Sequence, residues 1–109
     1  MITTIVDLHK PKNRNNYDIY IGRAVKGTEF TKDSKWGNFN GLLYKREDSI
    51  KLFEIRIRKL IKSHSEKYNI EELRNKRLAC WCCDTDNFIE PLKCHGQILL
   101  RILSEQNDE

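Results

Sequence analysis

The sequence contains no apolar run long enough to cross a bilayer, and its first residues lack the basic segment and apolar stretch of a secretion leader. It also contains no internal repeat and no low-complexity segment. These absences argue against a membrane protein, an exported protein and a repeat array. We therefore expect a protein that remains in the cytoplasm, where it is made, and that has no membrane partner.

The composition is typical of a single compact domain. Of the 109 residues, 39% are hydrophobic and 33% are charged, which is sufficient for one core and leaves no room for a second lobe. We predict one domain over residues 1–109, with its core at about 2–103 and a polar C-terminal tail at 104–109.

Hydrophobic patterning predicts an α/β fold. Strands rich in β-branched or apolar residues are expected at 2–8, 17–21 and 78–82. Helices are expected from Asp48 or Ser49 to about 63–67, over 70–75 behind an Asn69 cap, and from Cys94 or His95 onward. Strands followed by helices favour a small, mainly parallel or mixed sheet flanked by helices.

Four cysteines lie in the C-terminal third, at positions 80, 82, 83 and 94. Without an export signal they are expected to be thiols or metal ligands, not disulfides. Cys80 and Cys82 would share one face of a strand, which is poor geometry for a bridge between them.

Three interpretations of the Cys94-His95-Gly96 segment compete. In the first, the strand cysteines belong to the core and Cys94 merely caps a helix. In the second, Cys80, Cys82, Cys94 and His95 bind zinc, although the adjacent Cys94 and His95 should diverge by about a quarter-turn on a helix. In the third, Cys94 and His95 are catalytic or contact a small anion at a helix N-terminus, where the dipole would make Cys94 the most reactive thiol.

Two further segments carry candidate ligand-binding residues. In Tyr20-Ile-Gly22-Arg23, an arginine follows a strand-ending glycine and could reach a phosphate or carboxylate at the strand's end. Trp36-Gly37-Asn38 could present amides to a ligand, or it could pack on the core as a lid.

A basic segment suggests a different partner. Residues 45–62 contain seven Lys or Arg and three acidic residues, within a net charge of +4. A helix with this composition could attract nucleic acid or an acidic protein, or it could simply be solvated.

The order of these motifs resembles the family catalogued as domain of unknown function 4326, which is scattered through bacteria, their phages and large DNA viruses. The resemblance extends from about Ile5 to Leu103 and rests on Tyr20–Arg23, Trp36–Asn38, Leu78–Cys82 and Cys94–Gly96.

This chain departs from the usual family pattern in several places. Ala24 and Phe39 stand where family members commonly have proline, and residues 83–90 lengthen the loop before Pro91. Gln97 stands where an acidic residue is frequent, which weakens a general-acid role at that position. The family arrangement is similar to Rossmann-like nucleotide-handling domains.

From these observations we expect a domain that binds a small phosphorylated, nucleotide-like ligand beyond the strand carboxyl ends; the residues leave open whether it also hydrolyses that ligand. Arg23 would bind phosphate and Asn38 would orient the ligand. The alternative is a zinc-stabilised interaction module that binds nucleic acid or a partner protein through the basic helix at 45–62. Zinc is the only cofactor that the residues suggest.

Overall fold

A small parallel sheet is the centre of the fold. The structure, a computed structural model, describes residues 3–25, 27–30, 32–38, 46–81 and 94–106. Within these residues the strands β1 (Thr4–Asp7), β2 (Ile19–Tyr20) and β3 (Arg77–Cys80) form a three-stranded sheet. The strand order is β1-β3-β2, and β3 pairs in parallel with both neighbours. The α/β class and the parallel sheet are therefore confirmed.

The alternation of side chains along the strands produces two unequal apolar layers. Ile5, Leu78 and Cys80 belong to a large core with α1 (Arg46–Ser63) and α2 (His95–Gln106). On the opposite face, Ala79 belongs to a smaller cluster with Leu8 and with the aromatic side chains Tyr17, Tyr20, Phe30 and Trp81. Both faces of β3 are thus covered, as its nearly all-apolar sequence predicts.

The helices follow the predicted apolar stripes. In α1, Ile50, Phe53 and Ile57 are buried, and Leu60 and Ile61 pack against the core. In α2, the buried stripe is Ile98, Leu99, Ile102 and Leu103. Each of these large side chains contributes about 1.5–3 kcal/mol on burial, so apolar packing, not surface pairing, provides most of the stability.

Several predicted boundaries are shifted. The first helix begins at Arg46, before Asp48, and Ser49 is buried and accepts a hydrogen bond from Asn38 Nδ2 at 3.4 Å instead of capping. The expected helix at 70–75 is a 3-10 turn, Ile70–Leu73, with Asn69 as its cap. The last helix extends to Gln106 and so includes the first residues of the segment expected to be a tail.

An ion pair joins the ends of the two helices. Arg58 donates to Glu105 Oε1 and Oε2 at 2.7 and 2.8 Å, and also to Glu54 at 2.8 Å. The hydrogen bonds from Arg58 lower the pKa of the Glu105 carboxyl. Because a carboxyl with a lowered pKa stabilises the fold above its unfolded pKa, this contribution is present at neutral pH and is lost in acid.

We predict that Glu105→Gln lowers the free energy of unfolding at pH 7 by roughly 0.2–1 kcal/mol, as expected for a half-exposed pair. The difference from wild type should shrink as the pH falls below the ordinary glutamate pKa of about 4.3 and through the lowered pKa of Glu105. Urea unfolding at a series of pH values measures this difference. Glu66→Gln, an exposed acid outside the Arg58 network, is the control; an equal loss there would contradict the assignment.

Candidate functional site at the carboxyl end of the sheet

The three motif segments converge where the strands end. Immediately after β2, the Ile21 carbonyl accepts a hydrogen bond from His95 Nε2 at 2.6 Å. The turn that contains Gly37 packs against Gly22, since a Cβ on Gly37 would lie 3.1 Å from the Gly22 carbonyl oxygen. Cys94 Sγ lies 3.1 Å from Cys80 Sγ, at the end of β3. The convergence predicted from the sequence is present, and it is formed by backbone and buried side chains.

Close packing explains the glycine of Cys94-His95-Gly96. A Cβ on Gly96 would lie 2.9 Å from Ile21 Cδ1 and 3.2 Å from Ile5 Cδ1. The N-terminal turn of α2 can therefore approach β1 and the end of β2 only with glycine at this position. Every residue from Cys94 to Leu99 is buried, so the start of α2 is enclosed by the core.

Cys94 and Gln97 form a reciprocal N-cap. Cys94 precedes the helix, and its Sγ accepts from the Gly96 amide at 3.4 Å. In return, Gln97 Oε1 accepts from the Cys94 amide at 2.9 Å, which is the geometry of a capping box. Gln97 thus supplies this cap with its side-chain carbonyl oxygen, an acceptor that a carboxylate would also provide. These bonds also occupy amides that were expected to bind an anion.

The relation between Cys94 and His95 differs from the sequence expectation. Because Cys94 lies outside the helix, the quarter-turn divergence does not apply, and Cys94 Sγ lies 4.0 Å from His95 Nδ1. The Ile21 carbonyl can only accept, so His95 Nε2 is the donor of this bond. Phe53 packs edge-on against the imidazole at 5.0 Å between ring centroids. Cys80 and Cys94 are 0% and 1% exposed, so accessibility does not distinguish Cys94 as the more reactive thiol.

The other predicted ligand-binding residues have mixed environments. Trp36 is buried in the core, and its Nε1 donates to Glu72 Oε1 at 3.1 Å, so it packs as a lid. Glu72 lies in the 3-10 turn that Asn69 caps. Tyr20 stacks on Phe30 on the other face of the sheet, and its hydroxyl donates to the Arg23 carbonyl. The Arg23 guanidinium has no hydrogen-bond or ion-pair partner among the described residues.

The described residues offer little for metal binding. No group of three or more His, Cys, Asp or Glu in the described ranges is arranged to hold a metal ion. Cys82, the fourth residue of the expected zinc site, lies outside the described residues. The zinc site therefore remains a prediction, without support from Cys80, Cys94 and His95.

Sequence reasoning missed the end of β1. Asp7 is buried, and its Oδ1 accepts from the His9 amide at 2.9 Å and lies 2.8 Å from His9 Nδ1. The His9 side chain is 60% exposed and packs edge-on against Trp81. Arg14 lies over the same indole at 5.3 Å and donates to the Leu8 carbonyl at 3.0 Å. The sequence did contain a signal for this feature, because Asp7 and His9 are polar residues at the carboxyl end of the first predicted strand.

These residues form a rim beside the buried convergence point. We define the carboxyl rim as His9, Arg14, Arg23 and Trp81. The Trp81 indole N–H is buried and has no hydrogen-bond partner among the described residues. The charged side chains of the rim are accessible, whereas the Trp81 N–H is buried and Cys94, His95, Gly22, Gly37 and Gly96 are enclosed.

Comparison with known proteins establishes the family. The model of the family described as "Domain of unknown function (DUF4326)" matches residues 6–105. The chain belongs to this family. It is 32% identical over 97 residues to "Uncharacterized protein R718" of Acanthamoeba polyphaga mimivirus, covering 84% of this chain and 73% of the relative. It is also 32% identical over 95 residues to the "Uncharacterized 12.4 kDa protein in nrdA-td intergenic region" of Enterobacteria phage T4, covering 85% and 73%.

Structural comparison adds no further relative, because no solved structure matches this chain. Among the described residues, no helix has the length and apolar character needed to cross a membrane.

We predict that Gln97→Ala destabilises the domain by about 1 kcal/mol, because the Cys94 amide loses its acceptor in a buried position. Gln97→Glu should retain most of the stability, since a carboxylate supplies the same acceptor near a helix N-terminus. Thermal unfolding followed by circular dichroism measures both variants. Equal stability of the alanine variant and wild type would show that the cap is dispensable.

Proposed function

We propose that this domain binds a small phosphorylated, nucleotide-like ligand at the carboxyl rim. The observation that carries the proposal is the Trp81 indole N–H, which has no hydrogen-bond partner within the described part of the chain. Its ring contacts His9 and Arg14 at the end of the parallel strands. Open parallel sheets commonly bind ligands beyond their strand carboxyl ends. A Rossmann-like domain, the finer fold prediction from the sequence, would bind its ligand at this same end of the sheet.

Trp81 supplies both stacking surface and a directed donor. Its ring contacts His9 and Phe30 edge-on, at 5.3 and 5.8 Å between centroids, and it remains partly exposed. A buried indole N–H normally finds an acceptor. A nucleobase carries both the ring nitrogens and carbonyl oxygens that accept such a bond and a π-face that stacks on aromatic residues.

The charged members of the rim suit phosphate. Arg14 is exposed, and its Nε donates a hydrogen bond to the Leu8 carbonyl. This bond orients the guanidinium, whose terminal nitrogens can form a bidentate contact with phosphate. The backbone carbonyl of Arg23 accepts a hydrogen bond from the hydroxyl of Tyr20, a member of the aromatic cluster. Asp7 fixes the His9 ring through Nδ1 and leaves Nε2 at the exposed edge.

The buried motif residues have a supporting role in this proposal. Cys94 and His95 are enclosed, and they hold α2 against the strand ends without reaching the rim. Hydrolysis, which the sequence leaves open, requires one of these side chains at the reacting atoms. Binding is therefore the proposed function, and release of inorganic phosphate from the same ligand tests hydrolysis.

We predict that AMP perturbs the fluorescence of Trp81 and leaves that of Trp36 unchanged. Trp36→Phe leaves Trp81 as the sole tryptophan, and Trp81→Phe is the matched control that leaves only Trp36. Titration of the first variant should saturate, and Arg14→Ala in that background should weaken affinity about ten- to hundredfold through loss of a charge-assisted contact.

Lys59→Ala, an exposed change on α1, should leave AMP affinity unchanged. An unresponsive Trp81 at millimolar AMP, or an Arg14→Ala variant that binds as tightly as its parent, would contradict the proposal. Phosphate release that disappears in Cys94→Ser would add hydrolysis to the function; no release would restrict it to binding.

A second candidate, binding of nucleic acid through α1, is favoured by the outward face of that helix. Lys51, Lys59 and Lys62 are exposed on one stripe with Ile55, which is 64% exposed. The face is less basic than the sequence suggests, because Arg56 donates to the Gly37 carbonyl and Arg58 pairs with Glu54 and Glu105.

For this candidate we predict weak binding of a single-stranded oligonucleotide that falls steeply with salt. Fluorescence anisotropy should show that Lys51→Glu combined with Lys59→Glu abolishes it, whereas Arg14→Ala has little effect. Treatment with a chelator should leave both binding and the far-UV circular dichroism unchanged. Unfolding on chelation would instead support the zinc-stabilised form of the module.

A further inference from the structure

Two buried sulfur atoms are in direct contact between β3 and α2. Cys80 Sγ and Cys94 Sγ are 3.1 Å apart, and the two residues are separated by 14 positions in sequence. Neither cysteine is part of a disulfide. Cys80 ends the central strand and Cys94 caps the helix, so the contact joins two elements that are fixed by the core.

Two groups lie close enough to Cys94 Sγ to affect its reactivity. Its sulfur accepts a hydrogen bond from the Gly96 amide at the N-terminus of α2, where the helix dipole stabilises negative charge. His95 Nδ1 lies 4.0 Å from the same sulfur, and Nε2 of the same ring bonds the Ile21 carbonyl; Nδ1 is therefore the ring nitrogen close enough to exchange a proton with Cys94. Cys80 has a different setting, at the end of a buried strand.

We propose that Cys80 and Cys94 form a redox-active dithiol that a hydroperoxide converts into an intramolecular disulfide. The Cys94 thiolate attacks one peroxide oxygen, the O–O bond breaks, and the leaving hydroxide takes a proton to become water. The resulting sulfenic acid on Cys94 is attacked by the Cys80 sulfur, which forms the S–S bond and releases a second water. Two thiols are oxidised and one hydrogen peroxide is reduced, giving the disulfide and two waters.

The proposal is independent of ligand binding at the carboxyl rim, because its reactants are the two sulfur atoms and the peroxide. It is also compatible with reduced thiols in the untreated protein, since disulfides in reducing compartments form transiently under oxidants. The bond would tie the end of β3 to the N-cap of α2 and close the intervening segment of chain. An increase of several degrees in the melting temperature should accompany it.

The test begins with the full chain, reduced and held without oxygen, then treated in its native state with equimolar hydrogen peroxide. Thiols are alkylated in denaturant, and the mass and proteolytic peptides are analysed. We expect the native protein to lose two thiols and 2 Da relative to the reduced protein, with the cross-link mapped to Cys80 and Cys94. The combined variant Cys82→Ser and Cys83→Ser, which leaves the proposed pair intact, should behave in the same way.

Single variants separate the two roles. In Cys80→Ala, the sulfenic acid on Cys94 has lost its partner and should be trapped by dimedone. In Cys94→Ser, whose hydroxyl can still cap α2, Cys80 should resist the same dose of peroxide. A cross-link that involves Cys82 or Cys83 in the wild type, or oxidation of the pair only after unfolding, would overturn the proposal.

Discussion

The start of α2 is held inside the protein by one buried hydrogen bond, from His95 Nε2 to the carbonyl of Ile21. That carbonyl follows the last paired residue of β2 and would otherwise be a buried acceptor without a ladder partner, which is costly. The bond requires the helix to approach the strand ends closely, and Gly96 makes that approach sterically feasible. The Cys94 cap, the Cys80 contact and the packing of Phe53 on the imidazole all depend on this placement.

Much of the fold was predictable because periodicity and burial agree. The stripe Ile50, Phe53 and Ile57 and the stripe in α2 are strong 3.6-residue patterns, and both face the core. The short strands are harder to delimit, since β2 pairs over only Ile19–Tyr20 although its β-branched and aromatic sequence is longer. The start of α1 was missed because Ser49, a good cap by composition, is buried beside Asn38 instead. Local propensity yields there to a tertiary contact.

The candidate site was predictable in place and less so in role. Strand ends and helix starts can be located from the sequence, so the meeting of Gly22, Gly37 and His95 followed from topology. Their enclosure could not be predicted in this way, because the burial of a polar motif depends on which groups form its hydrogen bonds. Gln97 is an example. As a departure from the family pattern it argued against a general acid at this position, but in the structure its side-chain carbonyl oxygen accepts a hydrogen bond from the Cys94 amide. Asp7 and His9 were overlooked because they lie outside the recognised motifs, although the interaction that orders them joins residues only two positions apart.

The polar groups at the carboxyl end of the sheet lie in two layers, an enclosed inner layer and an outer layer at the surface. The inner layer contains the Cys80–Cys94 contact and His95, whose hydrogen bonds are satisfied within the protein. The outer layer contains Arg14, His9 and the Trp81 indole, whose donors face outward or lack an acceptor among the described residues. Residues that share a motif therefore need not share a function. A glycine or cysteine can distinguish the family because it permits close packing, whereas recognition of a ligand depends on the exposed rim, which that packing positions.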